Sequence, residues 1–221
     1  MRRAIFICVW LMAAAVAGRV IASPPAPQSG RVVDRIVARI EDDIILQSQV
    51  RELGAFQQLI EGHAESDDRL LSELIEQWVV QTEATASHFP SPAQSEVDRE
   101  LARLTARFAS SAAYSAGLNE LGLSAAQVRQ LLVRQIYVER YLDYKFRPSV
   151  NIESADIDAY YQKELLPELA KKNQPAPGRP QVEEQIRELL VQRGISGLTA
   201  KWLDDTKSRL KIELAPTGAK P

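Results

Sequence analysis

Hydrophobic and polar positions change period three times along this chain, and each change predicts an element. From Val32 to Ile40, the set Val32, Asp34, Ile36, Ala38 and Ile40 alternates with Val33, Arg35, Val37 and Arg39. That period of two predicts a strand. Glu41-Asp42-Asp43 is a polar turn, and Ile44-Ile45-Leu46 predicts a short returning strand. The same alternation reappears only at Leu210-Lys211-Ile212-Glu213-Leu214. An isolated hairpin is barely stable in water, so this last run is the expected third strand, bringing both ends of the mature chain into one sheet.

Between these runs the period is helical. Ser48 is placed to cap a helix through Val50, Leu53, Phe56 and Ile60 that ends near Gly62. Asp67 or Asp68 opens a second helix with Leu71, Leu74, Ile75, Trp78, Val79 and Thr82 on one face. Ser91-Pro92-Ala93-Gln94 and Ser124-Ala125-Ala126-Gln127 both have the spacing of a capping box. The first predicts a helix carrying Val97, Leu101, Leu104 and Phe108. The second predicts the longest helix, to about Phe146, with Pro148 closing it. A short segment with Tyr114, Leu118 and Leu121 lies between them, stopped by Gly122.

A helix starting at Ser154 should end at Pro167. The stretch 167–181 then reads as a proline-rich linker, with Pro167, Pro175, Pro177, Pro180 and Gly178. Helical spacing resumes with Val182, Ile186, Leu189 and Leu190, stops at Gly194, and restarts around Leu198, Trp202 and Leu203. The segment Val182–Arg193 is expected to pack among the N-terminal helices. The predicted fold class is mainly α with a small β element: an N-terminal β-hairpin joined by a C-terminal strand. The predicted domain is discontinuous, comprising residues 31–166 and 182–215.

The N-terminus adds an address. Arg2 and Arg3 precede fourteen apolar residues from Ala4 to Ala17, and Val20-Ile21-Ala22 has the form of a cleavage site. Fourteen helical residues span ~21 Å, short of the ~30 Å hydrocarbon core, which favours a cleaved signal peptide over a membrane anchor. Residues 1–22 are therefore the expected signal, cut after Ala22, and residues 23–30 (SPPAPQSG) a flexible leader. The mature protein is expected to be exported to the periplasm and not inserted in the membrane. Cys8, the one cysteine, leaves with the signal, so no disulfide or thiolate chemistry is expected.

Charge and motifs narrow the chemistry further. Losing Arg2, Arg3 and Arg19 leaves 24 basic against 29 acidic side chains, a poor match to a phosphate backbone. Arg129, Arg134 and Arg140 interleave with Tyr137, Tyr141 and Tyr144, a pattern that can stack on bases, yet Glu139 and Asp143 share that segment. No nucleic-acid partner is expected. His63 and His88 are the only histidines and stand 25 residues apart, so no metal site is expected. Phosphate-binding glycine loops are absent, and no cofactor is expected. Gly194-Ile195-Ser196-Gly197 lacks the spacing of a nucleophile elbow and reads as a turn between helices. Adjacent carboxylates such as Asp67/Asp68, Glu183/Glu184 and Asp204/Asp205 point about 100° apart on a helix and do not form an acid–base pair. No catalytic residue is expected.

The run Val33-Asp34-Arg35-Ile36-Val37-Ala38-Arg39-Ile40-Glu41-Asp42-Asp43-Ile44-Ile45-Leu46-Gln47-Ser48-Gln49-Val50 resembles the opening hairpin and first helix of the SurA-like family of periplasmic chaperones and peptidyl-prolyl isomerases. Ile152 to Tyr161 is similar to that family's lead into its isomerase domain, and Val182 to Leu214 to its return helix and strand. The resemblance implies a periplasmic holdase for unfolded exported polypeptides, outer-membrane protein precursors among them. It also implies an isomerase between the lead-in and return helices, where this chain has only residues 167–181, against the ~50 residues of a small domain. No isomerase residue can be carried over. Apolar side chains suited to a client groove are Phe56, Leu59, Tyr114, Leu118, Tyr137 and Tyr141, with plain core as the competing role for each. Isomerase activity and docking to a single dedicated partner are the alternatives.

Overall fold

A computed structural model describes residues 34–215. The expected signal peptide, the cleavage after Ala22 and the leader 23–30 lie outside the described residues, as do Val32 and Val33 of the first predicted strand.

The sheet has three antiparallel strands, β1 (Ile36–Ile40), β2 (Asp43–Leu46) and β3 (Ile212–Leu214), in the order β2-β1-β3. The C-terminal strand joins the hairpin's sheet, as its alternation predicted, and does so along β1, with Ala38 opposite Leu214 and Ile40 opposite Ile212. Pairing between β1 and β2 shifts register between Ile36 and Ala38, and this shift puts both Val37 and Ala38 in the core. Strict alternation fails at that point, because an extra residue in a strand reverses the faces that follow it. Glu41 makes the turn at φ 49° and its backbone N–H donates to the Lys211 carbonyl at 3.0 Å.

Helices α1 (Gln47–Glu61), α2 (Asp67–Ala86), α3 (Gln94–Thr105), α4 (Ser111–Glu120) and α5 (Ala125–Phe146) follow in the expected order. Gly62 ends α1 in the left-handed region at φ 80°, where a side chain would be strained. Ser124 forms the expected capping box: its hydroxyl accepts from the Gln127 N–H at 3.2 Å, and Gln127 Oε1 accepts from the Ser124 N–H at 2.9 Å. Two other caps differ from expectation. Helix α1 starts straight out of β2, so Ser48 is already inside it, and Asp34 accepts the Ser48 N–H at 3.2 Å in the capping role. Hydrogen bonds to Ser48 hold the Asp34 carboxyl below its ordinary range. Helix α3 starts at Gln94 with no side-chain cap, because the backbone stays extended through Ala93, at ψ 145°.

The second half departs most from the pattern. Pro167 does not stop the helix that begins at Ser154: α6 (Ser154–Tyr160) passes through a π turn (Tyr161–Leu165) into α7 (Leu166–Lys171). Proline lacks an N–H and crowds the carbonyl four residues back; one wide turn accommodates both. Of residues 167–181, only 172–178 are outside helices. The Tyr161 hydroxyl donates to the Pro177 carbonyl at 2.7 Å and pins that loop. Gly178 then precedes α8 (Arg179–Lys207), a single helix of 29 residues, about 43 Å long. Neither Gly194 nor Gly197 breaks α8, so no turn between helices exists there.

Three apolar clusters hold the molecule together. The first joins α1, α3, α4 and α5 through Phe56, Val97, Leu104, Leu118, Val128 and Leu132. The second packs the sheet on α1 and α2 through Ala38, Ile40, Ile45, Val50 and Leu70. The third joins α2, α5 and α8 through Val79, Val80, Ala84, Tyr141 and Leu203. Only Ile186, Ile195 and Leu203 of α8 are buried, and Leu189 is exposed. The segment Val182–Arg193 also contacts the stretch that leads into α7: Arg193 pairs with Glu164 and Arg187 donates to the Ile152 carbonyl, while Arg179, at the start of α8, pairs with Asp158. Arg147, just past α5, ties the segment to the N-terminal half by pairing with Glu188 at 2.7 Å. Among the described residues, no helix is long and apolar enough to cross a membrane.

Candidate functional site

A trough forms where the three clusters meet, because no one of them fills the space between α1, α2, α5 and α8. Leu53 belongs to the sheet cluster, Phe56 and Leu131 to the α3–α5 cluster, and Val80 and Leu203 to the α8 cluster. All five line one cavity of about 310 Å³. A second cavity of about 430 Å³ continues it along α5 and α8 and shares Leu142, Thr199 and Leu203. Helical spacing accounts for the walls. Leu131, Gln135, Val138 and Leu142 lie three or four residues apart on one face of α5, and Leu53, Phe56 and Ile60 do so on α1.

The floor is apolar and the rim acidic. Glu61, Glu73, Glu76, Glu139, Asp143 and Asp204 line the two cavities, and Arg134 is the one cation among their lining residues. Burial pushes the Glu73 carboxyl above its ordinary value, and the charges of Glu61 and Glu76 add to the effect. Hydrogen bonds from Gln77 (3.0 Å) and Gln57 (2.8 Å) oppose it. Gln57 is itself buried, and its Oε1 accepts the Glu65 N–H at 3.1 Å, so this network fixes α1 to the start of α2. Lys207 pairs with two of the rim acids: its Nζ is 2.8 Å from Glu76 and 3.6 Å from Asp204, and the Glu76 bond raises its pKa. Thr199 Oγ1 is shielded in the floor without a hydrogen-bond partner among the described residues. No three His, Cys, Asp or Glu side chains among the described residues are arranged to hold a metal ion.

The six groove candidates are distributed over two clusters. Phe56 is buried and borders the trough. Leu59, Tyr114 and Leu118 pack in the α3–α5 cluster, where Tyr114 meets Phe108 edge-on at 5.3 Å. Tyr137 and Tyr141 lie in the α8 cluster against Phe89, at 5.7 and 5.3 Å. Tyr137 donates to the Phe89 carbonyl at 3.2 Å, and Tyr141 is 2% exposed. Tyr144, by contrast, is 66% exposed and stands 5.3 Å from Phe89.

The arginines of α5 are each held by an acid: Arg129 by Asp98 at 2.7 Å, Arg140 by Glu96 at 3.3 Å and Arg134 by Glu52 at 3.8 Å. Sequence reasoning missed the acidic rim. Its signal was present in Glu73, Glu76 and Gln77 on α2 and in Gln135, Glu139 and Asp143 on α5, all at helical spacing. Helical spacing, though, does not say that two such faces turn toward each other. No family model matches the sequence, and no curated protein matches it.

Proposed function

We propose that the protein is an exported, ATP-independent holdase that shields unfolded polypeptides, with outer-membrane β-barrel precursors as the client class. The family resemblance suggests the class of activity. The observation that carries the reading is the open trough, with an apolar floor drawn from three clusters and walls from four helices.

The energetics suit transient capture. Burying one client side chain such as Leu or Phe gains ~1.5–3 kcal/mol. Ordering a residue costs ~1–2 kcal/mol of backbone entropy. The two nearly cancel, so binding is weak for each residue, tolerant of sequence, and reversible without nucleotide. Unfolded barrel strands expose alternating apolar residues and open edges that otherwise associate with one another. On this reading the chain is a chaperone core without isomerase activity, since only residues 172–178 separate α7 from α8.

The test is light scattering of an unfolded β-barrel protein diluted from denaturant. A several-fold molar excess of the folded protein should suppress aggregation, and no suppression would refute the proposal. Turnover of a proline tetrapeptide above background would favour an isomerase instead.

A further inference from the structure

We propose that the trough selects extended client segments in which Lys or Arg flanks apolar residues, so that its clients are cationic as well as apolar. This rests on the holdase reading and specifies its substrate class.

Charge complementarity over an apolar floor supports this selection. Three of the acidic rim residues have structural cations: Glu76 and Asp204 share Lys207, and Asp143 holds Arg147 at 2.8 Å. The other three do not pair with Lys or Arg among the described residues. Glu61 has only the exposed His63, at 3.8 Å. Glu73 accepts from the amides of Gln57 and Gln77, and Glu139 from the amide of Gln135 at 2.9 Å. Amide donors satisfy hydrogen bonds without neutralising charge. Glu73 bears the result most directly, since burial and two like charges already disfavour its ionised form. A client cation placed between these carboxylates relieves that repulsion, whereas a client carboxylate adds to it.

The floor explains why the cation must come with apolar neighbours. Ile60, Val80, Val138 and Leu142 line the space beneath the rim. A Lys or Arg side chain can lay its methylenes on such a surface while its head meets the carboxylates. A small polyamine would satisfy the charges but leave the floor uncovered.

The test uses the full folded protein and three fluorescently labelled peptides of equal length and identical apolar residues. The intervening positions carry Lys, Ser or Glu. Anisotropy at low salt should show the Lys peptide binding about tenfold tighter than the Ser peptide, with the Glu peptide weakest. At ~1 M salt, where the screening length is ~3 Å, the three affinities should converge. Glu61→Gln with Glu139→Gln should shrink the Lys-over-Ser affinity ratio from about tenfold to about twofold or less, Glu73 alone remaining. If these variants fail to fold, the salt series on the unaltered protein decides. Equal affinities at low salt would overturn the inference, and so would a Lys preference that the substitutions leave undiminished. If the Ser and Lys peptides bind equally while aggregation is still suppressed, charge selection fails and the holdase reading stands. If spermine competes with the Lys peptide as well as an unlabelled Lys peptide does, the floor plays no part and the inference is wrong.

Discussion

Gly194 in the middle of α8 lies so close to Val150 that a Cβ there would fall 2.6 Å from Val150 Cγ1. Glycine is intrinsically poor in a helix interior, by ~1 kcal/mol relative to alanine. Here its missing side chain lets α8 cross the chain just after α5 at close range. Gly194→Ala therefore has two opposing effects, and overpacking, at ~1–3 kcal/mol, outweighs the propensity gain. The variant should be less stable in urea. Gly197→Ala, which meets nothing within 4 Å, should be neutral or slightly stabilising. The same loss at both positions would show that the Val150 contact is not the cause.

Arg147, three residues before Val150, also fastens α8. It forms a two-pronged pair with Glu188, at 2.7 and 3.0 Å, while its Nε donates to Asp143. The Arg147 hydrogen bonds lower the Glu188 carboxyl from 4.5 to about 2. A carboxyl lowered on folding contributes stability above its unfolded pKa and loses it as pH falls through the folded one. The contribution should therefore be intact at pH 7 and fade between about pH 4.5 and 2. Both partners are substantially exposed, so the effect is small. Glu188→Gln should melt below the unaltered protein at pH 7, and the difference should close toward pH 2. A gap independent of pH would mean the ion pair is not responsible.

Ending the chain at Pro180 would remove Ile186, Ile195 and Leu203 from the core and β3 from the edge of β1. At ~1.5–3 kcal/mol for each buried side chain, that loss matches a typical total stability of ~5–15 kcal/mol. The truncated chain should lose its cooperative melt by circular dichroism. An unchanged melting profile would show α8 to be an appendage.

Local chemistry was legible at several helix ends, though not at Ser48 or Ser91, whose predicted caps do not form. Ser124 and Gln127 cap each other three residues apart, and Gly62 and Gly122 adopt the positive φ that ends a helix. Membership of β3 in the hairpin's sheet was legible too, because no other alternating run was available to cover the hairpin; that it pairs with β1 was not. Pro167 and Gly194 misled for a common reason: each is a helix breaker whose cost is met by something outside its own segment. A π turn accommodates the first, and the crossing at Val150 requires the second. The trough was hidden because its floor mixes residues of three clusters, and periodicity identifies an apolar face without identifying its partner.

If clients lie in the trough, position-specific photo-crosslinking detects them there most directly. A photoreactive residue at Gln135 or Ser196, both exposed on the trough wall, should crosslink to an unfolded β-barrel client during dilution from denaturant. The same residue at Asn119, exposed on α4 and away from the trough, should not. Crosslinks at Asn119 as strong as those at Gln135 and Ser196, or none at the trough while aggregation is suppressed, would contradict the account.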